Sequence, residues 1–183
     1  LRNPAFSIEK TPMDLAEAFR EAVRSVEPLA EQKGISLTAD LTVPIPLSGD
    51  YGRLRQLMLI LLDNAIKFSP AGGTIRVDER MTAGHWQVVV SDEGPGISPE
   101  RLPYIFDRFH TSRSAENLQG TGLGLPIARE IAGRHRNVDL FRIGFRNDFN
   151  RQVYAELFVD RFNNAVVILN CFCRSVAGRP PTD

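Results

Sequence analysis

Cysteine is nearly absent: Cys171 and Cys173 are the two in the chain, one position apart. That spacing makes neither a disulfide framework nor a zinc site, and it fits a reducing compartment. Net charge is absent too, with 22 Lys and Arg against 22 Asp and Glu in 183 residues. Without a broad basic field, nucleic acid is a poor partner. Long apolar runs are missing. The longest, Leu57 to Leu62, falls far short of the roughly 20 residues that span a bilayer. No signal peptide opens the chain, so no membrane contact is expected of it. Repeats and low-complexity blocks are missing as well. What remains is 43% hydrophobic and 24% charged, the mixture of a soluble globular protein. The length suits about one domain of roughly 100–200 residues, enough to bury a real core. Leu1 stands where a methionine would begin a complete protein, so a longer parent is expected.

Helix and strand signals alternate unevenly. Thr11 reads as a helix cap, Pro12 as the first helical residue and Asp14 as a first-turn acid. Leu15, Phe19, Ala22, Val26 and Leu29 then recur at helical spacing, with Pro28 expected to bend the helix and Gly34 to end it. Leu37, Ala39 and Leu41 alternate as a strand, which Pro44 and Pro46 stop. A second helix starts near Asp50, with Leu54, Leu57, Leu61, Leu62, Ala65 and Phe68 as its apolar stripe. Ile75 and Val77 mark one strand of a hairpin, and Trp86, Val88 and Val90 mark the other. A short helix is expected around Glu100 to Phe109, a polar loop over 110–121, and a last helix from about Gly122 to His135. This order favours an α+β layer over a doubly wound sheet.

Three segments can carry chemistry. In Leu61-Leu-Asp-Asn-Ala-Ile-Lys-Phe68, residues Ile60, Asn64 and Lys67 share one helix face. A mid-helix Asn disfavours the helix slightly and needs a reason. Its amide oxygen suits Mg²⁺, and Lys67 suits phosphate as a point charge; taken singly, a polar residue at a helix edge is the simpler reading. Asp92-Glu-Gly-Pro-Gly96 places a carboxylate at a strand end, where it can accept from an exocyclic amine, and glycines that admit a flat base. Alone it is an ordinary tight turn. Gly120-Thr-Gly-Leu-Gly-Leu125 opens a helix whose N–H groups suit a phosphate. It is neither the P-loop nor the dinucleotide pattern. Between the last two lie Ile105-Phe-Asp-Arg-Phe109, His110 and Arg113, whose basic groups are placed to close over phosphates or simply to be solvated.

The joint order and spacing of these segments resemble the catalytic ATP-binding domain of bacterial two-component sensor histidine kinases, within the superfamily that includes gyrase, Hsp90 and MutL ATPase domains. The N box matches at Leu61 to Ser69, the first glycine box at Asp92 to Gly96, the F box at Phe106 to Phe109 and the second glycine box at Gly120 to Gly124. The lead-in Leu29-Ala-Glu-Gln-Lys-Gly-Ile35, followed by Gly49-Asp50, is similar to the family as well. The resemblance covers residues 5 to 135.

The resemblance implies a two-layer α/β sandwich (the Bergerat-type ATP-binding fold) over residues 1–136, holding ATP and Mg²⁺ beneath a mobile lid. By it, Asp92 accepts from the adenine amine, with Gly94, Gly96 and Ile97 lining the base. Asn64 holds Mg²⁺, and Lys67 and Arg113 contact phosphates. Phe109, Gly120, Thr121, Gly122, Leu123 and Gly124 border the phosphate chain. It further implies transfer of the γ-phosphate to a histidine on a dimerisation domain, relay to a response regulator receiver domain, and a cytoplasmic location for this domain, whether or not its parent is anchored in the membrane.

The chain departs from that pattern in three places. The acceptor is missing: His85, His110 and His135 are the three histidines, and none carries the acceptor motif's acidic neighbour and downstream proline. The fragment alone is therefore not expected to autophosphorylate. Ile60 stands four residues before Asn64, where sensor kinases carry Asn and hydrolysing relatives carry a Glu base. Isoleucine cannot activate water, so a gyrase-like hydrolase is disfavoured and weaker binding of magnesium or nucleotide is expected. Finally, residues 137–183 lack the family's closing strands and its Ser-Glu-x-Gly-x-Gly turn. Read one base out of frame, Arg136 to Phe149 permit Gly-Met-Trp-Ile-Tyr-Ser-Glu-Ser-Gly-Ser-Gly-Met-Thr-Leu, which contains that turn. A frameshifted tail replacing the last strands is one reading, and a native divergent extension is the other. Phe158-Val159 and Ala165 to Phe172 still have strand-forming composition. Two alternatives to a working histidine kinase domain stand beside it: a nucleotide-binding but catalytically defective fragment, and an anti-sigma-type serine kinase.

Overall fold

The computed structural model describes residues 7–82, 85–97, 100–109 and 121–135, together with strands at Asn147–Asp148, Gln152–Ala155, Phe158–Asp160 and Ala165–Phe172. The chain opens with strand β1 (Thr11–Asp14), and helix α1 follows at Leu15–Gln32. This corrects the expected helix start. Residues 11–14 pair antiparallel with β3 (Pro46–Gly49), a strand the sequence did not announce. Asp14, not Thr11, is the cap: its Oδ1 accepts from Ala16 N–H at 3.0 Å and from Ile45 N–H at 2.8 Å. One carboxylate thus satisfies an orphan helix donor and pins the helix to the loop before β3. Pro12 lies in the strand and cannot serve as the first helical residue.

Pro28 lies within α1, which runs on to Gln32, and Gly34 follows the C-cap with φ of 70°, the left-handed conformation that glycine adopts without a Cβ clash. Helix α2 (Tyr51–Phe68) is capped by Asp50, whose Oδ1 accepts from Arg53 N–H at 3.0 Å. The apolar faces of α1 and α2 supply most of the core, including Phe19, Leu15, Leu57, Met58 and Leu62. Two residues assigned to those faces lie at the surface instead: Leu29 and Phe68 are exposed. Each sits in the last turn of its helix on the side away from the core, which Ala30 in α1 and Ala65 and Ile66 in α2 face instead.

The main sheet has strand order β2-β4-β5-β9-β7-β6. Its strands are β2 (Ser36–Asp40), β4 (Thr74–Thr82), β5 (His85–Asp92), β6 (Asn147–Asp148), β7 (Gln152–Ala155) and β9 (Ala165–Phe172), with β8 (Phe158–Asp160) pairing β5 off that path. The hairpin β4–β5 is antiparallel, and Val77 opposite Val90 is buried beneath the helices. β9 runs parallel to β5 from Ala165 beside Trp86 to Cys171 beside Asp92. The tail's two strand-forming segments therefore do form strands, and one of them covers the edge of β5. The short helix expected over Glu100 to Phe109 shrinks to one 3-10 turn, Leu102–Tyr104: Tyr104 N–H bonds Arg101 O and Asp107 N–H bonds Tyr104 O, the i to i+3 pattern of a segment too short to propagate as an α-helix. The last helix, α3, spans Gly124–Arg134.

His135 closes α3 and ties it to α2. Its Nδ1 donates to Ile131 O at 2.8 Å, and its Nε2 accepts from Asp50 N–H at 3.0 Å. Burial is the main reason its pKa lies below the usual 6.5; Lys10 lowers it further, while the Ile131 bond and Asp50 oppose this. The unfolded chain therefore binds more protons in this range. His135's contribution to stability is complete above about pH 6.5 and is lost as pH falls through its folded-state value. Urea midpoints of the native chain at pH 7.5 and 5.5, set against those of His135→Asn, are expected to show the steeper acid loss in the native chain, by at most one proton. His85 and His110 are common to both and cancel.

Candidate functional site

The site is built where α2, the end of β5 and the start of α3 meet. β5 ends at Asp92, a residue only 3% exposed. Its Oδ1 accepts from Gly94 N–H at 2.8 Å, an Asx-type turn that fixes the acid at the mouth of the sheet. Gly94 is buried, and a Cβ there would lie 2.7 Å from Asp92 Oδ1 and 3.1 Å from Phe68 O. Only glycine lets the turn lie against the last carbonyl of α2. Gly94→Ala is therefore expected to destabilise the chain by about 1–3 kcal/mol and to weaken nucleotide binding, checked by urea midpoint and by titration of the folded variant. Gly96 follows with φ of 74°, and Ile97 is half-buried beside it.

On α2, Asn64 is half-buried, and its Nδ2 is shut off from solvent with no hydrogen-bond partner. An unsatisfied buried amide is costly, and a water, a ligand or an ion relieves it. The two ends of an amide are assigned from their surroundings, so the orphaned end can equally present oxygen. Three residues on, Lys67 is half-buried, with its ammonium 5.4 Å from the Phe68 ring. Ile60 packs toward α3: its Cγ2 would lie 3.2 Å from a Cβ on Gly124. The N-box helix and the second glycine box are therefore direct neighbours.

α3 begins without a side-chain cap, since Leu123 at the cap position bonds none of the first N–H groups. Gly122 has φ of 65°, and its carbonyl accepts from Phe109 N–H at 3.1 Å. Phe109 itself has φ of 64° and is 74% exposed, a conformation rare for an aromatic residue and held by this tie. Arg129 of α3 stacks on the Phe106 ring at 5.5 Å. The F box is thus fastened once to the second glycine box and once to the body of α3. Thr121 is exposed beside them. Arg113, Gly120 and the lid over 110–120 lie outside the described residues, as does His110.

Sequence reasoning missed the contribution of backbone and second-layer groups. The Phe68 carbonyl, the buried Ser69 and Lys33 all gather at the end of α2. Lys33 had one legible signal, a lysine placed directly before the helix-ending Gly34.

A helix start without a side-chain cap, a buried acid at the end of β5 and a glycine turn packed on a helix end suit a nucleotide-binding catalytic domain of the ATPase type. Comparison with known proteins specifies the class. The profile of the histidine kinase-, DNA gyrase B- and HSP90-like ATPases matches residues 49–157, and the chain belongs to that family. The signal transduction histidine-protein kinase/phosphatase MprB of Mycobacterium avium is 36% identical over 135 residues, 73% of this chain and 25% of that protein. MprB of Mycolicibacterium smegmatis is 35% identical over 135 residues, 73% of this chain and 27% of its own length. The chain thus spans about a quarter of the curated relatives it matches. Among solved structures, a mycobacterial sensor histidine kinase MprB aligns with TM-score 0.58 at 31% identity, over 69% of this chain and 80% of that one. The catalytic domain of histidine kinase ThkA aligns with TM-score 0.59 at 30% identity, over 69% and 81%. ShkA in complex with AMPPNP aligns with TM-score 0.60 at 29% identity, over 72% and 27%. These likenesses agree with the two-layer ATPase fold and with an ATP-binding catalytic domain of the sensor-kinase type.

Proposed function

We propose that this chain binds ATP between α2 and the start of α3 and donates the γ-phosphoryl group to a histidine supplied by a dimerisation domain of the same kinase. The observation that carries the reading is Asp92, a buried carboxylate fixed by Gly94 at the end of β5. Asp92 accepts from the adenine amine, and the Gly94–Gly96 turn leaves room for the ring, with Ile97 at its edge. Lys67 and Arg113 neutralise phosphate charge. The main-chain N–H groups of Gly122, Leu123 and Gly124 face the phosphate chain, with Gly120, Thr121 and Phe109 at its border. Asn64 is the metal ligand. Its orphaned amide fits a divalent ion held mostly by phosphate oxygens and water, the usual situation of Mg²⁺. No group of three or more His, Cys, Asp or Glu among the described residues could hold a metal without the nucleotide. When bound, Mg²⁺ screens the charge that builds up between the β- and γ-phosphates. Ile60 adds no oxygen to that set, so metal affinity is expected to be weaker than with a polar residue there. The protein's own contribution is positioning and charge stabilisation.

The phosphohistidine then serves a response regulator receiver domain, and the domain works in the cytoplasm, where ATP is available. No helix among the described residues is long and apolar enough to cross a membrane. The test supplies the missing acceptor. Radiolabelled ATP, Mg²⁺ and a separately expressed histidine-bearing dimerisation domain are incubated with residues 1–183. Acid-labile label on the histidine is the expected result. Nucleotide binding without any transfer would make the domain a defective fragment, and label on a serine antagonist would make it a serine kinase.

The tail from 137 to 183 reads best as an out-of-frame replacement for the last strands of the domain. The family match takes in residues 137–157 with β6 and β7 and stops before β8 and β9, so the support for this reading is the turn that Arg136 to Phe149 permit one base out. Codons for Arg136 to Phe149 that cannot spell the Ser-Glu-x-Gly-x-Gly turn one base out would exclude this and leave a native extension.

A further inference from the structure

The lead-in Leu29–Ile35 has no part in the site as described, yet one of its side chains crosses to the end of α2. Lys33 is the C-cap of α1, and its N–H donates to Ala30 O at 3.1 Å and Leu29 O at 3.3 Å. Gly34 N–H donates to Glu31 O at 2.9 Å and Ile35 N–H to Ala30 O at 2.8 Å, so the main chain here is consumed in closing α1. The Lys33 ammonium donates to Ile66 O at 2.6 Å, Lys67 O at 2.9 Å and Ser69 O at 2.8 Å. An ammonium has three donors, and all three are spent here.

The last four carbonyls of a helix lack intrahelical partners. In α2, Ala65 O accepts from Ser69 N–H, and Lys33 takes Ile66 O and Lys67 O. The fourth, Phe68 O, is the carbonyl against which Gly94 packs. A cation at the negative end of the helix dipole is also favourable. Just past these two segments, Ser36 N–H at the start of β2 donates to Gly73 O before β4 at 2.9 Å.

We infer that Lys33 is a positioning residue for nucleotide recognition. By clamping the last turn of α2 it holds Lys67 at a fixed distance from the Asp92–Gly94 turn, and so sets the span between the phosphate contact and the base contact. This rests on the site reading given above. Without the clamp, the turn carrying Phe68 O frays, and Gly94 loses the surface it packs on.

The test is amide hydrogen exchange on the nucleotide-free chain, combined with ATP titration, for native, Lys33→Met and Lys33→Arg chains. Methionine keeps the stem and removes the donors. The expected result for Lys33→Met is exchange about 10-fold faster at Lys67–Ser69 and at Gly94, with less than about 2-fold change at Val88–Val90, because only a local opening is loosened. ATP affinity is expected to fall about 10-fold at a temperature where circular dichroism shows the variant folded, and Lys33→Arg, which keeps the charge but not the three-way geometry, to lie between. Exchange rising equally at Gly94 and Val88–Val90 would reduce Lys33 to a stability residue and overturn the proposal. So would unchanged exchange at Gly94, or unchanged ATP affinity in a chain whose native form binds. If Lys33→Met does not fold, the same comparison is decided on Lys33→Arg. A native chain that binds no nucleotide would sink the functional reading, while the exchange pattern would still decide the clamp.

Discussion

Asp92→Asn is expected to lower ATP affinity by about 10- to 100-fold, the range set by losing a hydrogen bond to a charged group. The variant can still fold, because an amide oxygen at this position continues to accept from Gly94 N–H. What changes is the other half of the side chain. It now presents an NH₂ where a base amine must donate, so donor faces donor in a site shut off from water. Discrimination between ATP and GTP is expected to shrink in parallel, because a polar site rejects a ligand that leaves its groups unpaired. Calorimetric titration of both nucleotides into native and variant chains, with far-UV circular dichroism to confirm folding, checks both effects. Equal ATP affinity in the two chains would show that the carboxylate does not read the base.

The largest effect on stability is expected at Phe19. Its side chain is fully buried in α1 among Leu15, Leu57, Met58 and Leu62 in the shared core of helices and sheet. Phe19→Ala removes most of an aromatic ring from that core and leaves a cavity that the helices fill only partly. A cost of about 3–5 kcal/mol is expected, a large share of a domain stability of roughly 5–15 kcal/mol. Urea unfolding followed by circular dichroism measures it. A cost below about 1 kcal/mol would mean that α1 does not pack where described.

Helices α1 and α2, the β4–β5 hairpin and α3 were legible in sequence because each carries its own period and its own end signal. Asp50 before an apolar stripe and Gly34 after one act through local backbone geometry, which any chain order preserves. β1 and β3 were not legible. Thr11–Asp14 carries a strong helix-start pattern, and only its partner at Pro46–Gly49, thirty-odd residues away, makes it a strand. The expected helix over Glu100–Phe109 failed for a related reason: a segment that short holds a helix only where packing supports it, and a single 3-10 turn forms instead.

The site divides along the same line. The residue types at Asn64, Lys67 and Asp92, and the glycines at 94, 96, 122 and 124, were fixed by the sequence, because chemistry demands those side chains or the lack of one. Their convergence was not. That Phe68 O lies against Gly94, that Ile60 meets Gly124, that Phe109 bonds Gly122 and that Lys33 spans two helix ends are contacts between segments far apart in the chain. Main-chain carbonyls carry no residue identity, and a lysine before a helix end reads as a solvated charge until a second helix is brought beside it. Composition and local pattern name the groups available for chemistry, while the distances that let them act together arise only when the helices close over the sheet.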